Sequence, residues 1–192
     1  MDGYGPVLRA LMTFDPAVHV FGGFAEDALL HGRCVRTHDD VDVLVGREEL
    51  EAQLRNAHGI GFASHEVRFE PIEGMPMVIG TTDGSRDLEI SVYDRSPEGS
   101  VFFHIPNQEG RLFRIDLSNG VFDHPLSDLD DITLRTVSPL ALYQIRAGIT
   151  MAGGFGPPRR KDVTSQEALR ARFFPDASPE SLQPRMTDVS PG

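Results

Sequence analysis

The sequence predicts a mixed α/β fold of the α+β kind: a mixed sheet flanked by helices, with a small helical portion at its C-terminal end. Three observations carry that prediction. Apolar periodicity switches between helical and strand spacing over the first 57 residues, a run of five short extended segments follows to residue 115, and two helical patterns come after them. The 192 residues suffice for one domain of ordinary size with a short appendage. A chain of that length buries about 70% of its extended surface and needs neither a disulfide nor a metal to fold.

The elements follow in order. PVLRALMTF at 6–14 carries apolar side chains at helical spacing, with Pro6 near its start, where a missing N–H does no harm. AVHVF at 17–21 reads as a short buried strand closed by Gly22 and Gly23, and FAEDALLH at 24–31 as a helix ended by Gly32. DVDVLV at 40–45 alternates strictly, so its aspartates share one face and Val41, Val43 and Val45 the other. REELEAQLRNA at 47–57 reads as an amphipathic surface helix. Strands are expected at 67–70, 75–80, 87–93, 101–105 and 111–115, separated by Gly, Pro, Asn and Asp turns. Ser138 as N-cap and Pro139 at the first helical position open a helix over 138–151, and a last helix over 162–173 follows the linker Gly153 to Pro158. From Asp176 to Gly192 the prolines and serines outweigh large apolar residues, which predicts a mobile or loosely docked tail.

The 29 acidic residues against 18 basic ones give a net charge of -11, and Lys161 is the one lysine beside 17 arginines. Such a balance argues against a nucleic-acid partner, which needs clustered positive charge, and suits a small cationic or neutral one. No apolar run reaches about 18 residues and the N-terminus lacks the basic-then-apolar order of a signal peptide, so a cytoplasmic protein without a membrane partner is expected. Cys34, being alone, forms no internal disulfide.

The stretch HVFGGFAEDALLHGRCVRTHDDVDVLV, 19–45, holds the chemistry. Two glycines between a strand and a helix let backbone N–H groups and the helix N-terminus face an anion such as a phosphate. Asp40 and Asp42, two apart on a strand, place both carboxylates on one face about 6 to 7 Å apart at Cα. Like charges that close are unfavourable without a cation between them, and hard oxygen ligands suit Mg²⁺ bound together with substrate phosphates.

These residues resemble the signature of the lincosamide and aminoglycoside 2″-type nucleotidyltransferases, within the DNA polymerase β-like superfamily. The matching positions are Gly22, Gly23, Gly32, Arg36, His38, Asp40 and Asp42. DLEISVYDRSPEGSVF at 87–102 resembles the family's strand with the third carboxylate, which falls at Glu89; Asp87 shares its face in a regular strand, and spacing alone does not separate the two. ITLRTVSPLALYQIRAGI and RRKD at 159–162 resemble later elements. The chain departs from the family pattern in Ser91, where a His follows the third carboxylate, in Leu140 after Pro139, and in Ser165, where an acid is usual.

The resemblance implies a nucleotidyltransferase catalytic domain over 1–135 and a helical portion over 136–175, after which composition sets off the mobile tail over 176–192. It implies a metal-dependent enzyme moving a nucleoside monophosphate, AMP from ATP, to a hydroxyl of a small acceptor of the aminoglycoside or lincosamide kind, acting as monomer or homodimer. Two Mg²⁺ ions ~3.5–4 Å apart would be held by Asp40, Asp42 and Glu89, with Glu89 also taking the proton of the incoming hydroxyl. Gly22 and Gly23 would cradle phosphate. Arg36 would neutralise phosphate charge or clamp Asp39 or Asp40, and His38 would orient a carboxylate or contact nucleotide. Lys161 reads as a solvated lysine from its neighbours, and as a triphosphate or acceptor contact from the resemblance. Two other functions stay open: a toxin-type nucleotidyltransferase acting on tRNA, and a non-catalytic nucleotide-binding relative. A zinc site from His31, His38 and the aspartates lacks a further ligand cluster; Glu26 and Asp27 read as helix-face residues and Cys34 as loop filler.

Overall fold

A computed structural model of the chain describes residues 3–152 and 160–190. The helices are α1 (Gly5–Leu11), α2 (Gly22–His31), α3 (Leu50–Gly59), α4 (Pro139–Ala152) and α5 (Arg160–Phe173). The strands are β1 (His19–Phe21), β2 (Asp40–Gly46), β3 (Ser64–Phe69), β4 (Val78–Thr82), β5 (Asp87–Arg95), β6 (Val101–Pro106), β7 (Leu112–Asp116), β8 (Ser127–Leu129), β9 (Ile132–Leu134) and β10 (Arg185–Asp188). The expected mixed α+β class is borne out. The chain forms two compact units, Met1–Tyr93 with His124–Val137, and Asp94–Asp123 with Ser138–Gly192. This division cuts the sequence at three places, and the expected domain limits at 135 and 175 cut it at two.

In the first unit the strand order is β3-β4-β5-β2-β1, antiparallel except for the parallel pair β2 and β5. β2 is central because Val41, Val43, Leu44 and Val45 are all buried, which rewards placing it between neighbours on both sides. α2 packs its Phe24, Ala25 and Ala28 into this core and ends at Gly32, whose φ of +65° is the left-handed cap that favours glycine. The helix expected over 6–14 stops at Leu11, since the Thr13 and Phe14 N–H groups close tighter turns onto Ala10 and Leu11. Residues 47–49 form a 3₁₀ turn before α3 rather than its first turn. β4 starts later than expected: Pro76 has no N–H to pair, and Ile72 and Met75 bridge each other instead. The hairpin β8–β9, turning at Asp130 with φ +53°, escapes sequence reading because three-residue strands carry no periodicity.

In the second unit Asp94 and Arg95 of β5 pair with β6, β6 with β7, and β7 with β10, all antiparallel. α4 opens as expected: Ser138 Oγ accepts the Ala141 N–H at 3.3 Å, and Pro139 is the first helical residue. Gln144, buried on α4, accepts the Ser118 N–H at 2.8 Å. Gly148 lets α4 approach β7 closely; a Cβ there would lie 2.7 Å from Ile115 Cγ2. The linker Gly153 to Pro158 lies outside the described residues. The tail corrects the expectation of a loosely docked segment. Leu182 and Pro184 are buried, and β10 covers the edge of β7 with an Arg111–Asp188 ion pair across it.

Candidate active site

The first unit assembles the site from β2 outward. Its alternation buries the valines and turns Asp40 and Asp42 to the other face. Parallel pairing with β5 sets Asp40 against Asp87 and Asp42 against Glu89, and residues paired across adjacent strands project to the same side. Four carboxylates therefore share one face of two strands. On the other edge of β2, Asp42 pairs with Phe21, the last residue of β1, and the next residue is Gly22.

Gly22 is required twice. Its φ is +65°, and a Cβ on it would fall 2.6 Å from Asp42 Cγ. The chain turns there directly from β1 into α2, with no side-chain cap and no acid in the first helical turn, so the helix N-terminus stands beside the Asp42 carboxylate. Gly23 is equally confined: a Cβ would meet His38 Nδ1 at 2.5 Å and an Arg36 nitrogen at 3.3 Å. Arg36 thus reaches over Gly23, and it also lies 3.5 Å from Glu26 Oε2.

His38 is bedded in the protein. Its ring lies 4.1 Å from that of Phe24 and its Nε2 is 2.9 Å from Asp27 Oδ2, with the two side chains 5% and 2% exposed. The same Asp27 oxygen accepts the Val35 N–H at 3.0 Å. Burial pushes the Asp27 carboxyl up, but the His38 and Val35 hydrogen bonds and the charges of His38 and Arg36 outweigh it, and its pKa is lowered. Asp27 is thus a structural clamp on the loop before β2, where the sequence suggested a helix-face residue. Cys34 Sγ donates to the Arg36 carbonyl at 3.1 Å, and the Cys34 N–H reaches Asp130 Oδ2 at 3.3 Å. The ligand atoms of Asp27, Cys34 and His38 lie within 4.8 Å of one another. Exposed His31 is not in that group, and within it Asp27 and His38 already pair with each other while Cys34 bonds to Arg36 and Asp130.

Tyr4 closes the other end of the strand pair. Its hydroxyl donates to the Asp39 carbonyl and accepts the Asp87 N–H at 3.3 Å, so Tyr4, the residue before α1, ties the starts of β2 and β5 together. The Glu89 carboxyl is pushed up by burial and then by the charge of Asp40, while Arg68 opposes the shift. Arg68 is the residue that sequence reading missed. From β3 it reaches across β4, where Gly80 pairs with Glu89, to lie 3.5 Å from Glu89 Oε2 and 3.8 Å from Asp87 Oδ2. A Cβ at Gly80 would sit 2.7 Å from Arg68 Cδ, so glycine there makes the passage. The structure therefore brings together Gly22, Gly23, Arg36, His38, Asp40, Asp42 and Glu89 in one unit. Lys161 is exposed near the start of α5 in the other unit, and Asp162 beside it pairs with Arg146 at 3.1 Å.

No family model matches the chain, and no curated protein matches it in sequence. Solved structures do. The solution structure of the antibiotic-resistance factor ANT(2'')-Ia is similar over 95% of this chain and 89% of that one, with a TM-score of 0.63 at 17% identity. The crystal structure of ANT(2'')-Ia in complex with adenylyl-2''-tobramycin gives 0.64 at 16% identity, over 95% and 93%. The lincomycin-bound lincosamide antibiotic adenylyltransferase LnuA gives 0.54 at 19%, over 81% and 86%. At these identities the likeness is one of fold.

Proposed function

We propose that this chain is a metal-dependent nucleotidyltransferase that moves a nucleoside monophosphate, AMP from ATP, onto a hydroxyl of a small antibiotic-like acceptor. One observation carries the reading: the parallel register of β2 and β5 gathers Asp40, Asp42, Asp87 and Glu89 on one face, with the Gly22–Gly23 start of α2 at its edge. The fold likeness supports it, since ANT(2'')-Ia was solved with an adenylylated aminoglycoside and LnuA with a lincosamide.

The donor set fits Mg²⁺. It consists of hard carboxylate oxygens; burial first, and then the charge of Asp40, raise the Glu89 pKa, and the second of these is the repulsion that a divalent cation relieves. Asp40, Asp42 and Glu89 would hold it. Bound Mg²⁺ supplies charge neutralisation at the triphosphate and at the attacking and leaving oxygens. The residues do the rest. Glu89 accepts the proton of the acceptor hydroxyl as its oxygen bonds the α-phosphorus and pyrophosphate departs. The first N–H groups of α2 and the guanidinium of Arg36 face phosphate oxygens. His38, clamped by Asp27 and packed under Gly23, positions that turn. Lys161 is proposed as a triphosphate or acceptor contact. We place the protein in the cytoplasm, where its nucleotide substrate is; among the described residues no helix is long and apolar enough to cross a membrane.

The test is incubation with labelled ATP, Mg²⁺ and a panel of aminoglycosides, lincosamides and tRNA, beside the Asp42→Asn variant. Label transferred to a small antibiotic by the wild type and lost with Asp42→Asn supports the reading. Full transfer by Asp42→Asn, or transfer to tRNA alone, overturns it.

A further inference from the structure

Arg68 reaches the carboxylate face from two strands away, and the sequence provides a passage for it. Its stem crosses β4 at Gly80, the position paired with Glu89. Its Nε holds Glu66 Oε1 at 3.1 Å on its own strand, leaving the two terminal nitrogens turned to Asp87 and Glu89. At 3.8 and 3.5 Å these are loose ion pairs rather than tight hydrogen bonds, and the side chain is 33% exposed. A guanidinium so placed satisfies Glu89, one of the three carboxylates that a dication would use. The two positive groups repel each other at that range, so Glu89 cannot serve both at full strength.

We propose that Arg68 is a built-in counter-ion that competes with the divalent cation for Glu89 in the nucleotide-free protein and releases it when a triphosphate arrives, coupling metal loading to nucleotide binding. The planar fork that bridges two carboxylates is equally matched to phosphate oxygens, so an incoming triphosphate offers it a replacement partner. Glu66 tethers Nε throughout and keeps the side chain near the site. Arg68 acts on the reaction by positioning charge, and the inference rests on the metal-dependent reading above.

The experiment titrates Mn²⁺ into the nucleotide-free, full-length protein and follows free Mn²⁺ by its electron spin resonance signal. Arg68→Gln, which removes the charge, is expected to bind Mn²⁺ roughly three- to tenfold more tightly than wild type. Arg68→Lys, which keeps the charge, stays near wild type, and a non-hydrolysable ATP analogue abolishes or reverses the difference between Arg68→Gln and wild type. Equal or weaker Mn²⁺ binding by Arg68→Gln, while Asp42→Asn binds less than wild type, overturns the counter-ion proposal and leaves the metal site standing. Identical Mn²⁺ binding by wild type and Asp42→Asn overturns the metal reading and this inference with it.

Discussion

The carboxylate of Asp42 rests against the α-carbon of Gly22, so that a single methyl group on the glycine would overlap it. Gly22→Ala is therefore expected to do two separable things. It places an alanine at φ +65°, a strain of about 1–2 kcal/mol readable in urea unfolding. It also pushes Asp42 off its position, and nucleotidyl transfer should fall about a hundredfold, more than the stability loss explains. Wild-type turnover by a folded Gly22→Ala protein would exclude Asp42 from the working site.

Gly80 makes a matching prediction for the other side of the cluster. Gly80→Val fills the space that the Arg68 stem uses, and valine suits a strand, so stability should change by less than about 1 kcal/mol. Its Mn²⁺ affinity should nonetheless resemble that of Arg68→Gln. The double variant Gly80→Val/Arg68→Gln should be no tighter than either single one, a non-additivity that a double-mutant cycle measures.

The Asp27–His38 clamp predicts a pH dependence of stability. The folded pKa of Asp27 is lowered below its unfolded value, so its contribution is complete above the unfolded value and is lost as the pH falls through the folded one. Acid unfolding below about pH 4 should be shallower in Asp27→Asn, which has no charge to lose. Asp27→Ala, leaving the Val35 N–H and His38 without their acceptor, should cost roughly 2–3 kcal/mol at neutral pH. Chemical denaturation across pH 3 to 7 checks both.

Ending the chain at Asp176 removes β10 and the buried Leu182 and bares the edge of β7. Loss of the leucine alone amounts to about 1.5–3 kcal/mol. The truncated protein should unfold at lower urea and aggregate at concentrations where the full chain stays clear by light scattering. An unchanged midpoint would mean that β10 contributes nothing to the stability of its unit.

The parts of the site legible in the sequence are those set by local periodicity. Asp40 and Asp42 share a face because strand geometry has period two, and Gly22 and Gly23 lie where a strand must turn into a helix. Asp27 was within reach, since it follows Gly23 by four residues and so lies on the same face of α2. Arg68 was not, because its approach to Glu89 depends on the pairings β3–β4 and β4–β5, which no short window contains. β8, β9 and β10 failed for want of length: three or four residues cannot show alternation against their neighbours.

The register of β2 against β5 has a consequence for refolding yield. The same seven residues that offer Asp40 and Asp42 to the site offer Val41, Val43 and Val45 to the interior, and in β5 Leu88 and Ile90 alternate with Asp87 and Glu89. A slip of one residue would bury acids and expose the apolar row together, a cost too large for a compact misfold to survive. Chains recovered from denaturant should accordingly divide into active molecules and aggregates, with no soluble inactive fraction between them, so that active-site titration and recovered soluble protein give the same number.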